Sequence, residues 1–291
     1  DSGRILLTAR EAIQIAGEET GISNQVNANA VGNAQGIEIV TPSLVVADSG
    51  RISSSTGGEG NAGSIVLRTD DLSVTSGLID SFTVGRGAPG EIVIQSVDSL
   101  ALVDSAILTI VRAEASVPDE ALPGSITIET QDLQVLEGSS ITAEVEPEAQ
   151  ALVAGNIKVS AGSIRLNNQS EIQASAASQA GGNVLLQADD LFVLRGNSAI
   201  SSSAGTAAAG GNGGNITVES PFVIAIPGEN SDITANAFEG DGGNINITTQ
   251  GIFGLTFQAA QTALSDITAS SALGVSGEVS LNAPDTAFLD N

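Results

Sequence analysis

The stretch GGNITV, residues 213–218, is written again as GGNINI at 242–247 and as GGNVLL at 181–186. A glycine-rich run before apolar residues suggests a phosphate-binding loop. That loop needs a Lys and then Ser or Thr after its glycines, and the one Lys of the chain, Lys158, lies elsewhere. A dinucleotide loop needs glycines that open a helix. These glycines suit a sharp corner with little side-chain volume, and they open an apolar alternation of period two, which marks a strand. Near-copies at a steady interval point instead to a repeat architecture.

Extended outward, the pattern covers the whole chain. A first apolar pair occurs at Ile5/Leu7, Ile37/Ile39, Ile65/Leu67, Ile92/Ile94, Ile126/Ile128, Ile157/Val159, Val184/Leu186, Ile216/Val218, Ile245/Ile247 and Val279/Leu281, at intervals of 27 to 34 residues. Two residues before each pair stands a glycine, except at Gln35. A second pair follows, as in Ile13/Ile15, Leu44/Val46, Leu72/Val74, Leu100/Leu102, Leu133/Val135, Ile164/Leu166 and Leu191/Val193. A third segment carries one isoleucine per copy: Ile22, Ile52, Ile79, Ile107, Ile141, Ile172, Ile200, Ile233 and Ile267. Two residues after each isoleucine stands Ala, Ser, Thr or Asn.

Period-two alternation gives each segment one inward and one outward face. Strands of about five residues cannot bury such a face alone, but stacked copies can. The expected fold is therefore all-β: a right-handed parallel β-helix, or β-solenoid, of nine to ten coils with three short strands each. Residues 1–291 read as a single solenoid domain, and as a fragment of a longer protein. No segment sustains a helical period. The tandem calcium-binding nonapeptide and the leucine-rich frame are both absent.

Composition agrees. The chain has 34 Gly, 7 Phe and no Trp, Tyr, Met, Cys or His, which suits a narrow interior filled by Ile, Leu and Val. It is 41% hydrophobic, with a mean hydropathy of +0.21, so the net charge of −25 does not signal disorder. That charge disfavours nucleic acid and anionic lipid as partners. No run is long enough to span a membrane.

Without His or Cys, imidazole or thiolate catalysis and zinc sites built on those residues are excluded. Carboxylates remain. Asp70, Asp71, Asp132, Asp189 and Asp190 fall at the turn between the first and second strands, where a carboxylate ordinarily bonds nearby backbone N–H groups. Asp71 and Asp190 belong to coils four apart, too far to act as a pair, so no catalytic residue and no cofactor is expected. The repeated Asn156, Asn183, Asn215 and Asn244 suggest an amide ladder between coils. Two long loops, 111–123 and 144–153, bring Glu114, Asp119, Glu120, Glu144, Glu146 and Glu148 toward one edge. A calcium ion is the one metal such a cluster suggests. The segment 255–264 breaks the repeat, and Phe257 within it and Phe253 just before it suggest a cap or a contact surface. Asn-X-Ser/Thr triplets occur at Asn168, Asn215 and Asn246, and the last two fall on the first-strand pattern, where the repeat itself explains them.

The recurring pattern GGNI-x-I/V, then DL-x-V, then S-x-I-x-A resembles the repeat region of haemagglutinin-like exoproteins of bacterial two-partner secretion, most of all the versions common in cyanobacteria. The resemblance covers essentially the whole chain, though the NPNG-type motif of the family's secretion domain is missing. It implies a secreted or outer-surface location, export through an outer-membrane barrel, and a non-enzymatic adhesin or filament role. Host or neighbouring-cell surfaces and glycans are the implied partners. Repeat residues at both chain ends, without a polar cap, would expose strand edges, so the expectation is that the chain continues or that copies self-associate end to end. The residues alone leave a polysaccharide-active β-helix enzyme as the alternative.

Overall fold

A computed structural model describes residues 1–113, 115–117, 124–149, 153–205 and 210–283. Within them the chain is a parallel β-solenoid of about nine turns, and the one helical element is a single 3-10 turn at Pro227–Glu229. The ten first strands form one continuous row from Ile5–Thr8 to Val279–Asn282. Their first apolar residues stand in a single column in the order that periodicity predicts, from Ile5 through Ile126 to Val279. The nine third-strand isoleucines form a second column. At about 4.8 Å per coil, the stack is roughly 45 Å long.

The strands are not three separate sets. From Ile65–Thr75 to Val184–Leu194, the first and second strands of each coil merge into one bent strand. Both belong to one 14-stranded sheet, while the nine third strands, with the short strand Thr256–Phe257 at one end, form a second, 10-stranded sheet. The bend is marked by register irregularities, as between Thr69 and Asp71 and between Ala161 and Ser163.

Side chains fill the interior. Ile52, Ile65, Ile79, Ile92, Leu100 and Ile141 are fully buried in one core that runs the length of the rod. Each contributes about 1.5–3 kcal/mol through burial of apolar area. One second-strand pair departs from the expected register. In the seventh coil Phe192, not Leu191, stands beside Ile164 and Val223, and the buried pair is Phe192/Leu194. Four successive apolar residues, Leu191-Phe-Val-Leu194, allow two alternations. The shift at Ala161/Ser163 selects the one that places the large ring inside.

The repeated glycines do more than turn a corner. A Cβ on Gly90, Gly124, Gly155, Gly182, Gly214, Gly243 or Gly277 would lie under 3.0 Å from the carbonyl oxygen of the equivalent glycine one coil earlier. On its other side the glycine meets the small third-strand residue: the N–H groups of Gly182, Gly214, Gly243 and Gly277 donate to the carbonyls of Ala174, Ser202, Ala235 and Ala269 at 2.7–2.9 Å. The rod is therefore pinched where the glycine and small-residue columns face each other. A side chain on these glycines would hold the coils apart.

A buried serine column stands two residues before the third-strand isoleucines, at Ser105, Ser139, Ser170, Ser198, Ser231 and Ser265. The Ser198 hydroxyl accepts the N–H of Ser170 at 3.1 Å, Ser231 that of Ser198 at 3.4 Å, and Ser265 that of Ser231 at 2.9 Å. These hydroxyls thus satisfy buried backbone donors of the coil before.

Candidate functional site

The acidic-loop cluster expected from sequence is only partly within the described residues: Glu114, Asp119 and Glu120 lie outside them. Glu144 is the penultimate residue of the strand Ser140–Val145 and stands on its outward face beside Ile110. Glu146 accepts from Arg112 Nη1 at 2.8 Å and from the Ala113 N–H at 2.9 Å, so an internal cation already faces it. Glu148 is exposed. These loops are not simply solvated, because Ala88, Val111, Ala115, Val117, Val145, Ala149, Ala154 and Ala176 form a small second core beneath them. Burial, reinforced by the charge of Glu146, pushes the Glu144 carboxyl up, with Arg112 opposing. Burial also raises Glu171, in the next coil of the same sheet. Among the described residues, no three acidic side chains converge as a metal site.

The acids at the first bend behave differently from the backbone-capping role expected of them. The register sets Ser43, Asp71, Ser99, Asp132 and Ser163 in one column, so hydroxyls separate the charges. Asp71 Oδ1 accepts from Ser99 Oγ at 2.5 Å, and Asp132 Oδ1 from Ser163 Oγ at 2.6 Å. Asp70 and Asp71 are both exposed, because the bend interrupts the strand alternation between them.

Beside this column runs a groove that sequence reasoning did not find. Four open depressions of 420, 290, 380 and 430 Å³ share lining residues end to end, from Ala9 and Pro42 through Gln95, Gln131 and Gln187 to Gln250. One wall is the outward column Arg68, Gln95, Glu129, Ser160, Gln187 and Glu219. Glutamines of adjacent coils hold its carboxylates, Gln95 Nε2 at 3.2 Å from Glu129 and Gln187 Nε2 at 2.8 Å from Glu219. Glu129 and Glu219 stand three coils apart, about 14 Å along the rod. Paired-carboxylate hydrolysis needs the two within about 5–9.5 Å. Asp189 lines one depression with Glu219 and another with Glu129.

The amide ladder stands where the repeats place it. Asn156 Oδ1 accepts the Asn183 N–H at 2.7 Å, Asn183 Oδ1 that of Asn215 at 3.1 Å, and Asn215 Oδ1 that of Asn244 at 3.0 Å. Its main links run from side chain to the next backbone, so the asparagines serve stacking and leave no phosphate cradle. Asn215 Nδ2 also donates to Asn183 at 3.1 Å, which ties up the side chain of one Asn-X-Thr triplet.

The 255–264 segment forms a short strand, Thr256–Phe257, on the free side of Asp266–Thr268, where the third strand of a following coil would lie. Among the described residues it covers that sheet edge. Phe257 and Phe253 remain exposed. No family model, curated protein or solved structure matches the chain, and no helix among the described residues is long and apolar enough to cross a membrane.

Proposed function

We propose that this chain is a rigid rod segment of a secreted or surface-exposed bacterial exoprotein of the haemagglutinin-like kind, which holds loops or distal domains away from the cell for adhesion or filament assembly. The observation that carries this reading is where the polar groups go. The asparagine, serine and aspartate–serine columns bond coil to coil, and the interior is filled by side chains. A stack bonded coil to coil in this way transmits force along its axis. In this reading export runs through an outer-membrane barrel, and the partners are a host or neighbouring-cell surface or its glycans. Its test is location: protease added to intact source cells digests the protein, whereas an intact, protected cytosolic pool contradicts the reading.

The groove favours a second reading, action on an extended polysaccharide. New reducing or unsaturated ends from acidic and neutral polysaccharides, abolished jointly by Asp189→Asn and Glu219→Gln, would establish it. Absence of new ends across the panel removes it.

A further inference from the structure

The tetrapeptide Ser-Asp-Ile-Thr occurs at 231–234 and again at 265–268. The two copies pair in parallel, Ile233 beside Ile267 and Thr234 beside Thr268, which sets Asp232 next to Asp266 at a strand spacing of about 4.8 Å. The isoleucines point into the core, so both aspartates lie on the outward face of the sheet. Yet Asp232 is 3% and Asp266 0% exposed. The covering is the 255–264 segment, pinned by its short strand and by Ser265, which bonds the Pro227 and Ile226 carbonyls.

The same face shows how this rod neutralises a buried aspartate elsewhere: Asp80, 1% exposed, is paired with Arg51. Asp232 and Asp266 take part in none of the ion pairs among the described residues. Asp232 accepts from the Asp266 N–H at 2.9 Å and from Gln261 Nε2 at 2.6 Å, and Asp266 Oδ2 accepts from the Thr262 N–H at 2.5 Å. Asp266 Oδ1 is buried with no hydrogen-bond partner, and so is the hydroxyl of Thr268, two residues along the same face. Two adjacent desolvated carboxylates with an unmet oxygen are costly unless a positive charge joins them.

We infer that Asp232 and Asp266, with the Thr268 hydroxyl and the Gln261 amide oxygen turned inward, bind a divalent cation of the calcium type beneath the 255–264 strap. All the donors are oxygen, which suits a hard cation, and calcium accepts the irregular geometry that a sheet face and a loop provide. With two carboxylates, the dissociation constant falls on the order of 10⁻⁴–10⁻³ M, as in extracellular calcium modules. The ion fastens the strap, and with it the strand that covers the sheet edge.

The test uses the 291-residue chain, freed of metal by chelator and titrated with calcium chloride. Circular dichroism follows melting, and isothermal titration calorimetry gives stoichiometry. One ion binds per chain, and Tm rises by roughly 2 °C at ten times the dissociation constant and roughly 4 °C at a hundred times. Asp266→Asn and Asp232→Asn each abolish the rise while still folding, whereas Glu146→Gln retains it. A wild-type Tm that calcium does not move overturns the inference, as does a full calcium response in Asp266→Asn.

Discussion

Gly214→Ala tests the packing rule on which the solenoid depends. Its new methyl would lie under 3.0 Å from the Gly182 carbonyl oxygen, with the Ser202 hydroxyl also in contact. Neither backbone can yield without separating coils that are bonded on both sides. Overpacking of this kind costs about 1–3 kcal/mol, against a gain of about 0.4–1 kcal/mol from the stiffer unfolded chain. The net expectation is a loss of about 1–2 kcal/mol. The control lies in the same repeat position: Gly3 has no atom within 4 Å of its would-be Cβ, so Gly3→Ala is neutral or slightly stabilising. Urea unfolding suits the comparison, with far-ultraviolet circular dichroism as probe, because the chain has no Trp or Tyr. A lower midpoint with an unchanged slope for Gly214→Ala, and none for Gly3→Ala, supports the rule. Equal behaviour of the two variants refutes it.

Three further outcomes follow from particular contacts. Phe192→Ala, which empties a fully buried site, costs about 3–5 kcal/mol, while Leu191→Ala costs under about 1 kcal/mol. The reverse order in thermal melts would restore the register read from alternation alone. Ser198→Ala leaves the buried Ser170 N–H unpaired and destabilises by about 1–3 kcal/mol, whereas Ser198→Thr, which keeps the hydroxyl, retains part of that stability in the same melts. Glu229 receives two bonds from Arg195 and one from Gly196, and these hold its carboxyl at about 2. Its folded value lies below the unfolded one of about 4.5, so its contribution is complete above pH 4.5 and is lost as pH falls toward 2. The stability difference between wild type and Glu229→Gln should shrink across that window, and a difference that grows there contradicts the assignment.

The isoleucine columns were legible in sequence because stacking imposes one residue type on one position, and all nine third-strand isoleucines stand where periodicity puts them. The asparagine ladder was legible for the same reason. Other features depend on what faces what across coils, which spacing does not encode. Glycine looked like a corner residue, but the demand on it comes from the carbonyl of the coil before. Asp71 looked like a backbone cap, but its partner is Ser99, 28 residues on. The Asp232/Asp266 pair had a signal in the doubled Ser-Asp-Ile-Thr. Its burial did not, because the covering segment leaves the repeat. The groove, too, arises from the bend in merged strands that alternation reads as separate.

Distances along one outward column test the solenoid most directly. The register runs from Leu6 through Lys158, Leu185 and Thr217 to Asn246, and the chain has no native Cys to interfere with labelling. Spin labels on Cys variants at Leu6 and at each of the other four positions should give pairwise separations near 24, 29, 34 and 38 Å by electron resonance, about 4.8 Å for every coil. A linear rise with coil number is the predicted result. Separations that fail to grow with coil number, or that cluster at one value, would contradict the rod.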